Sequence, residues 1–142
     1  ESIVENYVKT GKVKMLFKDF VVVSEDSINA ANAAHCANDQ KMFWQYHSTL
    51  YNNWDGEGTG WASSEQLHQF ASTLGLDMDK FSECMSKSKW KELVDSSHAD
   101  GRTLGVDATP TFFIIDQNNN VLKIIGAQRY DVFQEVFDSL LE

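Results

Sequence analysis

Gly105-Val106-Asp107-Ala108-Thr109-Pro110-Thr111-Phe112-Phe113-Ile114-Ile115-Asp116 holds the only proline among 142 residues and runs straight into a β-prone segment. An X–Pro bond accepts the cis form at a cost of about 0.5–1 kcal/mol. A cis Thr109–Pro110 bond is therefore one reading. It would turn the Thr109 backbone outward, with unpaired polar groups able to hold an extended peptide by strand-like hydrogen bonds. A proline at the first residue of a strand is the other reading.

Downstream, Thr111 to Asp116 and Val121 to Gly126 read as strands. Gln117-Asn118-Asn119-Asn120 is a short polar loop suited to a hairpin. Val132, Phe133, Val136, Phe137 and Leu140 then mark an amphipathic helix. At the other end, Glu1 to Thr10 puts Ile3, Val4, Tyr7 and Val8 on one helical face, closed by Gly11. That segment lacks an N-cap, so the sequence is expected to start inside a helix. Lys12 to Val23 reads as a strand, with Val13, Met15 and Phe17 alternating against Lys14 and Lys18.

From Ser24 to about Leu104 the periodicity is helical. Ile28, Ala31 and His35 share one face, and Phe43, Tyr46, His47 and Leu50 share the next. Ser63-Ser64-Glu65-Gln66 forms a capping box ahead of Leu67, Phe70, Ala71 and Leu74, which Gly75 closes. Phe81, Cys84 and Met85 follow, then Trp90, Leu93, Val94 and Leu104. The order helix, strand, helical block, hairpin, helix predicts an α/β layer fold.

A chain of this length buries close to about 70% of its unfolded surface, and 42% of it is apolar. Disordered and low-complexity classes are excluded. The net charge of −9 comes without any basic cluster, which argues against phosphate-backbone binding, so no nucleic-acid partner is expected. No apolar run approaches the roughly 20 residues that span a bilayer.

The polar candidates are modest. Asp116-Gln117-Asn118-Asn119-Asn120 imitates the start of a calcium loop, but Val121 stands where glycine is required, so a hairpin turn is the better reading. His35, His47, His68 and His98 lack second ligands at i+3 or i+4, so no metal site is expected. His35 beside Cys36 raises an activated thiolate, yet adjacent helical positions diverge by about 100°. Asn52 to Trp61 combines glycines, acids and two tryptophans, as a binding loop or an ordinary connection. Cys36 and Cys84, each within a predicted helix, are either bridged or two buried thiols.

Five segments together resemble the DsbA-like thiol-disulfide oxidoreductases: ENYVKTGKVKMLFKDF (5–20), AANAAHCANDQKMFWQYHSTLY (30–51), LGLDMDKFSECMSKS (74–88), LGVDATPTFFIIDQNNNVLKIIGAQ (104–128) and DVFQEVFDSLL (131–141). The resemblance implies a thioredoxin-like three-layer fold, with an all-helical insertion between an N-terminal strand and the C-terminal β-hairpin. It implies one domain over 1–142, with the core in 1–23 and 105–142 and the insertion in 24–104. Thr109 and Pro110 match the family's cis-proline loop, which grips the substrate peptide. Ala108 occupies a position where the family commonly has glycine. Cys36 and Cys84 match a second cysteine pair that many relatives carry as a structural disulfide.

The family's catalytic CxxC is absent, so the chain itself offers no catalytic residue. By the resemblance, that motif and the strand feeding it are expected upstream of Glu1. The central strand would otherwise come from another chain. The implied activity is exchange with cysteines of protein substrates, without cofactor, regenerated by a redox partner in an extracytoplasmic setting, with a membrane anchor upstream as an option. The isolated piece is expected to be inactive. The alternative is a redox-inactive peptide-binding or assembly domain held by one disulfide. A glutathione-linked transferase or isomerase would need a catalytic residue near the first helix, which the sequence lacks.

Overall fold

The computed structural model describes residues 2–21, 25–56 and 59–141. A π-helical segment, Val4–Val8, comes first. Five α-helices follow: α1 (Glu25–Asn38), α2 (Phe43–Asn52), α3 (Ser64–Thr73), α4 (Met78–Ser86) and α5 (Lys91–Thr103). Strands β1 (Thr111–Ile115) and β2 (Val121–Ile125) and helix α6 (Tyr130–Leu141) complete the α/β order. The chain divides into two compact units, Glu1–Lys18 with Arg102–Glu142, and Asp19–Gly101.

In the first unit, β1 and β2 pair antiparallel with Phe113 opposite Lys123. Asp116 makes the turn: its Oδ1 accepts the N–H groups of Asn118 and Asn120 at 2.8 Å each, and its Oδ2 accepts Asn120 Nδ2 at 2.7 Å. Asn119 takes the left-handed conformation at φ 64° that tight turns demand. Tyr7, Ile124, Phe133 and Phe137 form the buried core, with Phe112 and Ile114 packed against it. Phe133 meets Phe112 edge-on at 4.8 Å, and Tyr7 lies 4.9 Å from Phe137. The Tyr7 hydroxyl donates to Asp138 at 2.6 Å, and this bond to a carboxylate, aided by burial, pushes the phenol pKa upward.

The expected strand over Lys12 to Val23 does not form over its described part. The sheet of the described residues has two strands, and residues 13–21 join neither; Val22 and Val23 lie outside the described residues. An alternating pattern encodes a face, but a strand exists only where a neighbour completes the ladder. At the start of this segment the backbone bonds are helix-terminal, with the N–H groups of Lys12 and Val13 both donating to Tyr7 O at 3.0 Å.

The second unit packs its helices around α1. The innermost positions of α1 are Ala30, Asn32, Ala33, Ala34, Cys36 and Ala37, whereas Ile28, Ala31 and His35 are half-buried. Small side chains let neighbouring helices approach closely, so four of the five alanines of α1 are buried. Tyr46 and Phe81 are fully enclosed, 5.7 Å apart. Tyr46 donates its hydroxyl to Leu67 O at 2.8 Å, and burial pushes its pKa up. Half of the expected capping box forms at α3: Ser63 Oγ accepts Gln66 N–H at 3.3 Å, whereas Ser63 N–H donates to Gly60 O at 3.0 Å and not to the Gln66 side chain. Of the downstream apolar positions, Val94 is buried, whereas Leu93 and Leu104 are exposed.

Gly101 has a steric duty. A Cβ there would lie 2.5 Å and 2.8 Å from two ring carbons of Phe20, which stacks on His98 at 4.6 Å. Gly101→Ala is expected to cost about 1–3 kcal/mol through overpacking, read as a lower denaturant midpoint. An unchanged midpoint would mean that the Phe20 ring moves aside freely.

Candidate functional site

The loop between α5 and β1 is the candidate. Helix α5 is followed by Gly105 at φ 66°, a left-handed position that glycine fills without strain. Val106 then turns inward to become buried, while Asp107, Ala108, Thr109 and Pro110 stay exposed. The Thr109–Pro110 peptide bond is cis.

Both ends of this loop are tied to β2 and its end. Lys123 Nζ donates to Gly105 O at 2.6 Å, with its ammonium 5.6 Å from the Phe113 ring centroid. At the other end, Gly126 N–H donates to Pro110 O at 2.7 Å. Inside the loop, Thr111 Oγ1 donates to Ala108 O at 2.6 Å. Among the described residues, no hydrogen bond uses the backbone N–H or C=O of Thr109. An exposed residue with both groups unused, held by anchors on either side, presents a donor and an acceptor to an incoming extended chain.

The β1 edge continues this property. The bonds of Gly126 to Pro110 and of Asp116 N–H to Asn120 O set the ladder phase. Alternation then points the backbone groups of Thr111, Phe113 and Ile115 away from β2. The anchors escaped the sequence reading. Gly126 offered a signal as a glycine closing a strand, and Lys123 offered none, because a lysine in an alternating strand reads as solvent-facing.

Cys36 and Cys84 are joined, linking α1 to α4 across a Cα separation of 5.8 Å. The activated-thiolate reading of Cys36 is thereby overturned, since a half-cystine has no thiol to ionise. His35 instead directs Nε2 to Asp19 Oδ2 at 2.7 Å. Beside the disulfide an open cavity of about 620 Å³ is lined by Asp39, Gln40, Lys80, Glu83, Lys87 and Lys89. Asp39 Oδ2 accepts Lys89 Nζ at 2.9 Å and Trp90 Nε1 at 3.1 Å. It lies 3.7 Å from Cys84 Sγ, a contact without a hydrogen bond because the bridged sulfur carries no proton.

Asp116 serves the hairpin turn, and its bonds from Asn120 and Asn118 hold its carboxyl below the usual range. A depressed carboxyl stabilises the fold above its unfolded pKa and loses that contribution as pH falls through the folded one. The turn should therefore loosen below about pH 4, visible as shifts of the Asn118 and Asn120 amides. Asp116→Asn should remove this acid response; its persistence would assign the effect to another carboxyl. His47 is held below the ordinary imidazole range by burial, opposed by the charge of Asp19. Among the described residues, no group of three or more His, Cys, Asp or Glu side chains could hold a metal. No described helix is long and apolar enough to cross a membrane.

A sequence profile of the family described as Thioredoxin matches residues 1–139. The chain is 25% identical over 114 residues to the probable disulfide bond formation protein D of Bacillus anthracis, covering 78% of this chain and 52% of that protein. The Bacillus cereus protein of the same description is 24% identical over 114 residues, with coverages of 78% and 53%. The chain thus spans about half the length of the curated relatives it matches. In fold it is similar to the crystal structure of the thiol-disulfide exchange protein alpha-DsbA2 from Wolbachia pipientis. The TM-score is 0.76 at 23% identity, over 98% of this chain and 72% of that one. The two-stranded hairpin, its covering helices and the helical block are those of a thioredoxin-like fold, and the chain belongs to the DsbA-like thiol-disulfide oxidoreductase family.

Proposed function

We propose that this chain is the greater part of an extracytoplasmic thiol-disulfide oxidoreductase acting on cysteines of protein substrates. Its nucleophilic cysteine pair would be carried upstream of Glu1. A thiolate of that pair attacks a substrate disulfide to form a mixed disulfide, or a substrate thiolate attacks the oxidised pair, and a redox partner restores the starting state. Thr109, with Ala108 and Pro110, holds the substrate strand beside the reacting sulfurs. Residues 1–23 and 105–142 form the thioredoxin core of a single domain and 24–104 its insertion. The strand that pairs with the outer edge of β1 comes from upstream residues or another chain.

The observation that carries this reading is the anchored, exposed Thr109 backbone, whose N–H and C=O take no hydrogen bond among the described residues. Titrating the isotopically labelled chain with an unfolded peptide, its cysteine replaced by serine, should shift the amides of Asp107, Ala108, Thr109 and Thr111. Silence there at millimolar peptide would sink the reading. In parallel, the chain alone should leave insulin disulfides intact, and the chain extended upstream should reduce them. Turnover by the chain alone would overturn the upstream placement of the nucleophile.

The closure of both cysteines in one buried disulfide favours a second reading, a redox-inactive peptide-binding or assembly domain. It is distinguished by an extended chain that binds peptide at Thr109 without turnover.

A further inference from the structure

Residues Met42 to Trp54 contain no Asp, Glu, Lys or Arg, in a chain that is 23% charged. Helix α2 turns Tyr46 and Leu50 into the core. Its other side carries a ladder of rings: Trp44 meets His47 edge-on at 5.6 Å, and His47 lies 4.6 Å from Tyr51. Trp44 is 47% exposed, Tyr51 68% and Trp54, just past the helix, 58%. Absence of charge with exposed tryptophan and tyrosine is the composition of an interface centre, not of an ordinary solvated helix face.

Area decides between occupants. A fully buried aromatic contributes about 150–250 Å², so three that are roughly half-exposed offer a few hundred. A stable dimer needs about 800 Å² from each partner, which disfavours a second copy. Charge decides the chemistry. The ring faces carry negative electrostatic potential, and the chain carries −9 overall. We propose that the face of α2 carrying Trp44, His47 and Tyr51, with Trp54 just beyond the end of the helix, docks a short extended polypeptide segment that places arginine or lysine beside apolar side chains. The cation rests on a ring face, and the apolar neighbours cover the exposed ring edges. This binding involves no thiol and does not depend on the oxidoreductase reading.

The test uses the full 142-residue chain and two cysteine-free peptides, one alternating arginine with leucine and one with glutamate in place of arginine. Amide shifts locate the site, and calorimetry gives the affinity. The basic peptide should perturb residues 43–54 and bind about tenfold or more tightly than the acidic one. Tyr51→Ser/Trp54→Ser, both changes at exposed positions, should weaken it about tenfold. Trp54→Ser alone, outside the helix, should give part of that loss with the circular dichroism unchanged. Equal affinity for both peptides, shifts confined to other residues, or variants that bind as well as the parent would each overturn the proposal. So would a concentration-dependent dimer that the double variant abolishes, because a second copy would then be the occupant.

Discussion

Removing the Cys36–Cys84 bond is expected to lower stability by about 4 kcal/mol on the chain-entropy account, because the bridge closes a sequence separation of 48. The bond ties α1 to α4 at the centre of the alanine-lined core, where Cys36 is 1% and Cys84 7% exposed. Opening it restores conformations to the unfolded chain while the native packing changes little. Cys36→Ala/Cys84→Ala is the cleaner test, since alanine fits beside Ala33 and Ala37 without a new polar group. The double variant should unfold at a markedly lower denaturant concentration with an insensitive response to reductant, whereas the parent should fall toward it once reduced. A loss below about 1 kcal/mol would show that packing, not the cross-link, holds these helices together. Under the proposed exchange activity this burial would shield the structural bond from attack, since both sulfurs belong to residues that are almost fully enclosed.

The parts of this fold that were legible in the sequence are those whose signals are local. The hairpin follows from alternation on either side of a polar tetrapeptide, and the strands end one residue short of expectation at Ile115 and Ile125. The α3 cap follows from Ser63 and Gln66, and the α6 face from Phe133 and Phe137. Long-range facts were not legible. A separation of 48 leaves two cysteines free to be thiols or a bridge, and the pairing came from resemblance. Which face of α1 is buried was not read from the sequence, because alanines give a weak hydrophobic signal yet win the packing. The alternation in Lys12 to Val23 describes a strand whose ladder is not formed by the described residues. At the candidate loop, Thr109 and Pro110 stood out because the proline is unique. The anchors from Lys123 and Gly126 arrive from the following hairpin, where only the folded register brings them to Gly105 and Pro110.

Those anchors make the second large effect consequential. Phe133→Ala is expected to cost about 3–5 kcal/mol, the range for deleting a buried phenylalanine. Phe133 is 4% exposed, packs edge-on to Phe112 of β1 and lies 6.3 Å from Phe137. Among the described residues four form the buried centre of this core, so one ring is a large share of what covers the hairpin. The Pro110 carbonyl is held by Gly126 and the Gly105 carbonyl by Lys123, both on or at the end of β2. Loosening the sheet therefore releases the loop that presents Thr109. Amide exchange in this variant should speed up at Phe112, Ile114, Leu122, Ile124 and Gly126, whose N–H groups face the partner strand or its end. Phe133→Leu should recover much of the loss, because it restores most of the volume without the ring contact. If Phe133→Ala left both the unfolding midpoint and the exchange of Gly126 unchanged, the hairpin would not depend on this aromatic core. The tethering of the Thr109 loop would then have to come from elsewhere in the sheet.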